Sequence, residues 1–104
     1  MNIKLCYLYR DAGNYKQYNE IVFTNPTRLP LEEIKQTILK NLIDGSWFIA
    51  KHWNVPDMHF KEYTWDSEID HEWHEFDSVE ATADTPAKDI SIEAFLKAIH
   101  IHAQ

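Results

Sequence analysis

Apolar and polar residues alternate over the first ten positions of the chain. The apolar residues at every second position are Ile3, Leu5, Tyr7 and Tyr9. A period of two places such residues on one face of a strand. A second run, from Tyr15 to Thr24, ends in β-branched and aromatic residues that favour strands. Gly13 and Asn14, which tolerate positive φ, lie between the two runs, so the pattern predicts an N-terminal β-hairpin.

Two later segments carry apolar residues at helical spacing instead. The apolar stripe of the first segment is Leu31, Ile34, Ile38 and Leu42. Pro30 lies at its start, where a proline suits the first turn, and Gly45 is predicted to end the helix as its C-terminal cap. Asp89 or Ser91 is predicted to cap a final helix. The apolar stripe of that helix is Ile92, Phe95, Leu96 and Ile99.

The region between the two helices predicts further strands and one ambiguous segment. Residues 47–53 and 58–65 have strand composition. In residues 67–77, the spacing of Ile69, Trp73 and Phe76 favours a short helix, and an irregular loop leading into a strand is the alternative. The predicted order is β-β-α-β-β-x-α, where x is this segment. We therefore expect a single α+β domain over residues 1–104, with an antiparallel sheet and two helices packed on one face.

Negative charge is concentrated in the middle of the chain. The net charge is −7, and residues 57–89 contain eleven Asp and Glu against two Lys. Such a segment repels phosphates, which disfavours nucleic acid as a partner, and it attracts cations or a basic protein. No apolar run approaches the roughly 20 residues that cross a bilayer, so we expect no membrane association. The lone cysteine, Cys6, and the lack of a signal-peptide pattern predict a cytoplasmic location.

The stretch DSEIDHEWHEFD, residues 66–77, combines six carboxylates with two histidines and is a candidate metal site. Its acidic spacing resembles an EF-hand loop, but His71 stands where the turn needs glycine and Asp77 where the site needs glutamate. On a helix, His71 and His74 would share one face, with Glu75 or Asp70 as a third ligand for a divalent metal. No other cofactor is indicated.

The tryptophans give the acidic region a second candidate role. All four lie between Trp47 and Trp73. An accessible indole ringed by carboxylates is typical of an anchor in a protein interface. The predicted partner-binding residues are Trp65, Asp66, Glu68, Asp70, Glu72, Trp73, Glu75 and Asp77. A small-ligand pocket lined by Trp and acids is a further alternative.

Two motifs resemble those of known proteins. The pairing of YLYRDAGNYK, residues 7–16, with DHEWHEFD, residues 70–77, resembles short uncharacterised bacterial proteins of similar length. The resemblance implies a bacterial, cytoplasmic, free-standing domain and carries no activity, cofactor or catalytic residue.

Catalysis is the less favoured class of function. The chain has two glycines and no phosphate-binding loop, and no Ser or Cys lies in a nucleophile motif. We therefore expect a non-enzymatic acidic domain that docks on a basic protein surface, of the inhibitor, immunity or anti-defence type. The metal site and the small-ligand pocket are the alternatives.

Overall fold

The structure is a computed structural model that describes residues 1–10, 15–56, 73–86 and 89–102. Its elements in chain order are strand β1 (Asn2–Arg10), strand β2 (Lys16–Phe23), helix α1 (Leu31–Lys40), strand β3 (Trp47–Ile49), a 3₁₀ helix (Ala50–Trp53), strand β4 (Trp73–Thr82) and helix α2 (Ile92–His102). The strands form one antiparallel sheet in the order β2-β1-β4-β3. The predicted α+β class and the order of strands and helices are confirmed.

β1 and β2 form the predicted N-terminal hairpin. Their antiparallel pairing is continuous from Ile3 opposite Phe23 to Arg10 opposite Lys16. Continuous pairing keeps each face of one strand in line with the same face of the other. The predicted turn residues, 11–14, lie outside the described part of the chain.

Both helices contribute to a core on one face of the sheet. The strand residues of that core include Ile3, Leu5, Tyr7, Phe23, Phe48 and Val79. The helix residues are Ile34, Ile38, Ile92, Phe95 and Ile99. Full burial of one such aliphatic side chain contributes about 1.5–3 kcal/mol, so the two helical stripes hold the helices on the sheet. Neither helix in the described ranges is long and apolar enough to cross a membrane.

Helix α1 starts where the sequence predicts and ends earlier. Pro30 occupies the N-cap position with extended φ and ψ. The C-cap is Asn41, whose side-chain amide donates to the carbonyl of Thr37 at 2.7 Å, so Gly45 was wrongly predicted as the cap. Gly45 instead follows Asp44 in a turn in which both residues have positive φ. That turn leads the chain from the helix into β3.

The strand predicted for residues 47–53 is shorter than expected. β3 comprises Trp47–Ile49, and a 3₁₀ helix carries the chain from Ala50 to Trp53. This change of direction turns Trp53 into the core, where it is 3% exposed. Its ring stacks on Phe48 with centroids 4.1 Å apart. Burial of the indole against Phe48 accounts for the end of the strand.

β4 overturns the helical prediction for the part of residues 67–77 that the structure describes. The chain is extended from Trp73 to Thr82, and it pairs with β1 on one side and β3 on the other. Its register with β1 shifts at one point, where Cys6 lies opposite Ser78 and Tyr7 opposite Phe76. Asp77 is the extra residue of this β-bulge. The strand predicted at 58–65 lies outside the described ranges.

Helix α2 follows the sequence prediction closely. The Ser91 Oγ accepts a hydrogen bond from the backbone N–H of Ala94 at 3.2 Å, as an N-cap does. Ile92 and Ile99 are fully buried, and Phe95 is 4% exposed. The predicted stripe of this helix is therefore confirmed as its buried face.

Candidate functional site on the open face of the sheet

The sheet face opposite the helices carries two tryptophans, two clusters of charged side chains and the cysteine. We call this surface the open face. Successive side chains of a strand point to opposite faces, so it is defined by the residues that alternate with the core residues. These are Lys4, Cys6, Leu8 and Arg10 of β1, Lys16, Tyr18, Glu20 and Val22 of β2, Trp47 and Ile49 of β3, and Trp73, Glu75, Ser78 and Glu80 of β4.

Two indole rings form a pair on the open face, which we call the indole pair. Trp47 of β3 and Trp73 of β4 have ring centroids 5.5 Å apart and an interplanar angle of 30°. Trp73 is 41% exposed and Trp47 is half-buried. The alternation of β4 causes this placement, because the neighbouring residue, His74, points into the core.

An ion pair lies beside the indole pair. Arg10 Nε donates to Glu75 Oε2 at 2.7 Å, and Arg10 Nη2 donates to Glu75 Oε1 at 3.4 Å. Glu75 is also the register partner of Trp47. The contact with Glu75 raises the pKa of Arg10, so the guanidinium stays charged. Arg10 of the hairpin is thus paired with a carboxylate of the acidic region, residues 57–89.

A second charged cluster surrounds Lys4 near the other end of the open face. Lys4 Nζ lies 3.1 Å from Asp84, 3.8 Å from Glu20 and 3.9 Å from Glu80. These carboxylates come from β2, from β4 and from the segment after β4. The hydrogen bonds from Lys4 and from Thr82 lower the pKa of Asp84. Three carboxylates around one ammonium leave this end of the face with excess negative charge.

Cys6 lies on the open face between the two charged clusters. Burial raises the pKa of its thiol, nearby carboxylates add to the shift, and a hydrogen bond with Ser78 opposes it. A thiol with a raised pKa is protonated at neutral pH and is a poor nucleophile. Cys6 therefore has the properties of a small, weakly polar packing residue.

Of the three residues predicted as metal ligands, the structure describes His74 and Glu75, and these two lie on opposite faces of β4. His74 is 1% exposed, and its ring lies 5.2 Å from that of Tyr9 and 5.8 Å from that of Phe48. Glu75 points to the opposite face of the same strand, where it binds Arg10. The helical spacing that would have joined the two is absent, and His71 lies outside the described residues. Within the described ranges, no three His, Cys, Asp or Glu side chains form a metal-ligating group.

Three of the eight predicted partner-binding residues lie in the described part of the chain. Trp73 and Glu75 are neighbours on the open face. Asp77 is exposed at the β-bulge, one position beyond Phe76. The predicted residues outside the described ranges are Trp65, Asp66, Glu68, Asp70 and Glu72.

Two features next to core residues were not predicted from the sequence. The Tyr7 hydroxyl donates to the carbonyl of Pro56 at 2.6 Å and accepts from the Asn19 amide at 3.1 Å. This hydrogen-bonded link between distant segments has no local sequence signal. A cavity of about 180 Å³ beside Trp53 also went unpredicted. The described residues of its lining include no carboxylate, whereas the sequence suggested a pocket of Trp and acids.

The fold and this face define a small α+β protein with a four-stranded antiparallel sheet that the helices cover on one side. Comparisons of the chain with known protein families, with curated proteins and with solved structures gave no match.

Proposed function

We propose that the protein is a non-enzymatic interaction domain whose open face docks on a basic protein surface. The observation that carries the proposal is the indole pair, in which Trp73 is exposed beside the half-buried Trp47, on the sheet face that the helices leave uncovered. Tryptophan is enriched among residues that dominate binding energy, because it combines a large apolar area with few rotatable bonds. A partner that covers Trp73 would remove its exposed area from water.

The surroundings of the indole pair fit the usual anatomy of a protein interface. An apolar centre is typically ringed by polar residues that exclude water once the partner is bound. Arg10 and Glu75 supply such a rim on one side of the indole pair. Because these two charges already neutralise each other, a partner has no unpaired ion to bury at this point.

The sign of the charge favours a basic partner. Residues 57–72, which directly precede Trp73, contain six acidic residues and one lysine. The cluster around Lys4 adds three carboxylates on the same sheet face. Opposite charge on the partner would accelerate association and make it sensitive to salt. A role as an inhibitor, immunity protein or anti-defence protein is compatible with such charge, and this role and a cytoplasmic location are part of the proposal.

The experiment is affinity capture from cell lysate followed by titration of the purified partner. The immobilised protein is exposed to lysate in low-salt and in high-salt buffer, and retained proteins are identified by mass spectrometry. We expect basic proteins that are lost at high salt. The purified partner is then titrated against the wild type, Trp73→Ser and a control, Leu31→Ser. Leu31 is exposed to a similar degree, 37%, but lies on a helix away from the open face.

The expected result is a specific loss of affinity in the Trp73 variant. Removal of an interface anchor costs about 2 kcal/mol or more, which is about thirtyfold in Kd. Leu31→Ser should bind as the wild type does. The proposal fails if no basic protein is retained at low salt, or if Trp73→Ser binds the partner as tightly as the control.

A further inference from the structure

Among the strands that the structure describes, β2 lies at an edge of the sheet and has backbone groups that point away from β1. In the sheet order β2-β1-β4-β3, β1 is the described strand that pairs with Lys16–Phe23. Just beyond β2, the Thr24 N–H donates to Ile90 O at 3.0 Å, and Thr24 O accepts from the Ile92 N–H at 2.8 Å. The backbone N–H and C=O groups of successive residues point to opposite sides of a strand. Those of the even-numbered residues of β2 therefore point to this edge, as those of Thr24 do.

The same even-numbered residues carry exposed side chains on the open face. Lys16, Tyr18 and Glu20 are all exposed, and Tyr18 is 59% exposed. A long edge strand is a template for pairing with another strand, and charges on the edge oppose that pairing unless they meet opposite charges. Here the charges at the two ends of the exposed stretch have opposite signs.

A groove follows the second half of this edge. Its volume is about 320 Å³, and its lining includes Ile21, Val55, Pro56 and Ile90. The carbonyl of Pro56 accepts the hydrogen bond from Tyr7, a core residue, so this wall of the groove lies on the core side of β2. The groove therefore has an apolar wall next to Ile21 and lies along the edge to which the backbone groups of the even-numbered residues of β2 point.

We propose that β2 pairs with β2 of a second copy of this chain, antiparallel and about a two-fold axis at Tyr18. In this register Tyr18 lies opposite its own copy, and Lys16 lies opposite Glu20 of the second copy. The symmetry gives this ion pair twice. All backbone groups used in the new ladder come from even-numbered residues, the ones that point to the edge.

Charge selects this register from its neighbours. A shift of the pairing by two residues in either direction breaks both contacts between Lys16 and Glu20. A shift by four residues places Lys16 opposite Lys16 or Glu20 opposite Glu20, and like charges directly opposite each other destabilise a sheet. A shift by one residue would match even with odd positions and lose the alternation of faces.

The groove receives a side chain in the proposed register. Tyr15, which precedes β2 and is 71% exposed, lies opposite Ile21 of the second copy. An odd-numbered residue points to the core side, which is the side of Val55 and Pro56. The aromatic ring thus meets the apolar wall of the groove, and two such contacts form per dimer.

The first test is a disulfide cross-link at the two-fold axis. Tyr18→Cys and Val22→Cys are each made with Cys6→Ser, which removes the native thiol. Residues directly opposite in a hydrogen-bonded antiparallel pair have Cα atoms about 5.5 Å apart, within the range of a disulfide. We expect a covalent dimer of Tyr18→Cys under mild oxidation. The two copies of Val22→Cys would lie about 26 Å apart and should stay monomeric on a denaturing gel.

The second test is a charge swap measured by sedimentation velocity over a range of concentrations. Lys16→Glu should raise the Kd of the dimer about tenfold, because it places like charges opposite each other twice. The double variant Lys16→Glu with Glu20→Lys should restore the dimer. A wild type that is monomeric at high concentration overturns the proposal. So does a double variant that dimerises no better than Lys16→Glu alone, or equal cross-linking of the two cysteine variants.

Discussion

At the scale of single residues, burial decides the role of His74. Its ring is enclosed by the aromatic side chains of Tyr7, Tyr9 and Phe48, and it is 1% exposed. We expect His74→Ala to lower the free energy of unfolding by about 2–4 kcal/mol, because it leaves a cavity in the core. Urea denaturation followed by fluorescence measures this loss.

The matched variant is His74→Phe, which keeps a ring of similar size in the same space. It should lose less stability than His74→Ala, since packing is retained. Equal losses in the two variants would show that packing of the ring contributes little.

The buried hydroxyl of Tyr7 provides a second prediction. It bonds with both Pro56 and Asn19, and Tyr7 is fully buried. Tyr7→Phe leaves these partners without the hydroxyl and should cost about 1–2 kcal/mol in unfolding free energy. Tyr18→Phe is the control, since Tyr18 is exposed and should change by less than about 0.5 kcal/mol. Equal changes in thermal denaturation would contradict this account.

At the scale of elements, local pattern was sufficient for the hairpin and both helices and insufficient for β4. Trp73, Phe76 and Val79 recur every three residues, which is close to a helical period. In the structure that spacing belongs to a strand with an extra residue, Asp77, between Phe76 and Ser78. A bulge changes the phase of the alternation, and only the pairing partner β1 defines where it falls. Sequence pattern alone therefore could not separate the two structures.

The bulge predicts how β4 responds to deletion of one residue. Deletion of Asp77 leaves Phe76 and Ser78 adjacent, opposite Tyr7 and Cys6, and every side chain keeps its face. Deletion of Glu75 instead moves His74 to the open face. We expect the Asp77 deletion to retain cooperative unfolding and to be the more stable by about 2 kcal/mol or more. Comparable stability of the two deletions in urea would refute the assigned register.

At the scale of the whole molecule, charge clusters connect segments that are distant in sequence. Lys4 binds carboxylates from positions 20, 80 and 84. The sequence predicted an excess of acidic residues. It could not predict which of them form ion pairs with Lys or Arg, because the order of the strands decides which side chains meet. For the same reason it could not show that Trp53 is buried while Trp73 is accessible.

The Lys4 cluster predicts a pH dependence of stability. The pKa of Asp84 is lowered from its ordinary value of 3.8 in the folded state. The carboxylate therefore stabilises the fold above that value, and the contribution is lost as the pH falls through the lowered pKa. We expect Asp84→Asn to be less stable than the wild type at neutral pH, with the two stabilities converging in acid. Asp89→Asn, at an exposed site, is the control, and chemical denaturation across pH is the measurement.

The Lys4 side of the same ion pair predicts a second loss of stability, at high pH. The pKa of Lys4 is raised from 10.5, so its contribution is complete below that value and is lost as the pH rises above it. If Asp84→Asn differed from the wild type by the same amount at every pH, the ion pair would have no part in stability.

The unequal length of the two outer strands limits how large an assembly this sheet can build. β2 has eight residues, whereas β3 at the other margin has three. Growth into a filament requires that each added subunit have a second long edge strand with which the next subunit can pair. In the proposed two-fold dimer each subunit uses its β2 edge, so we expect association through β2 to stop at two subunits. A very short outer strand is one of the ways in which proteins avoid pairing edge to edge, and β3 fits that description.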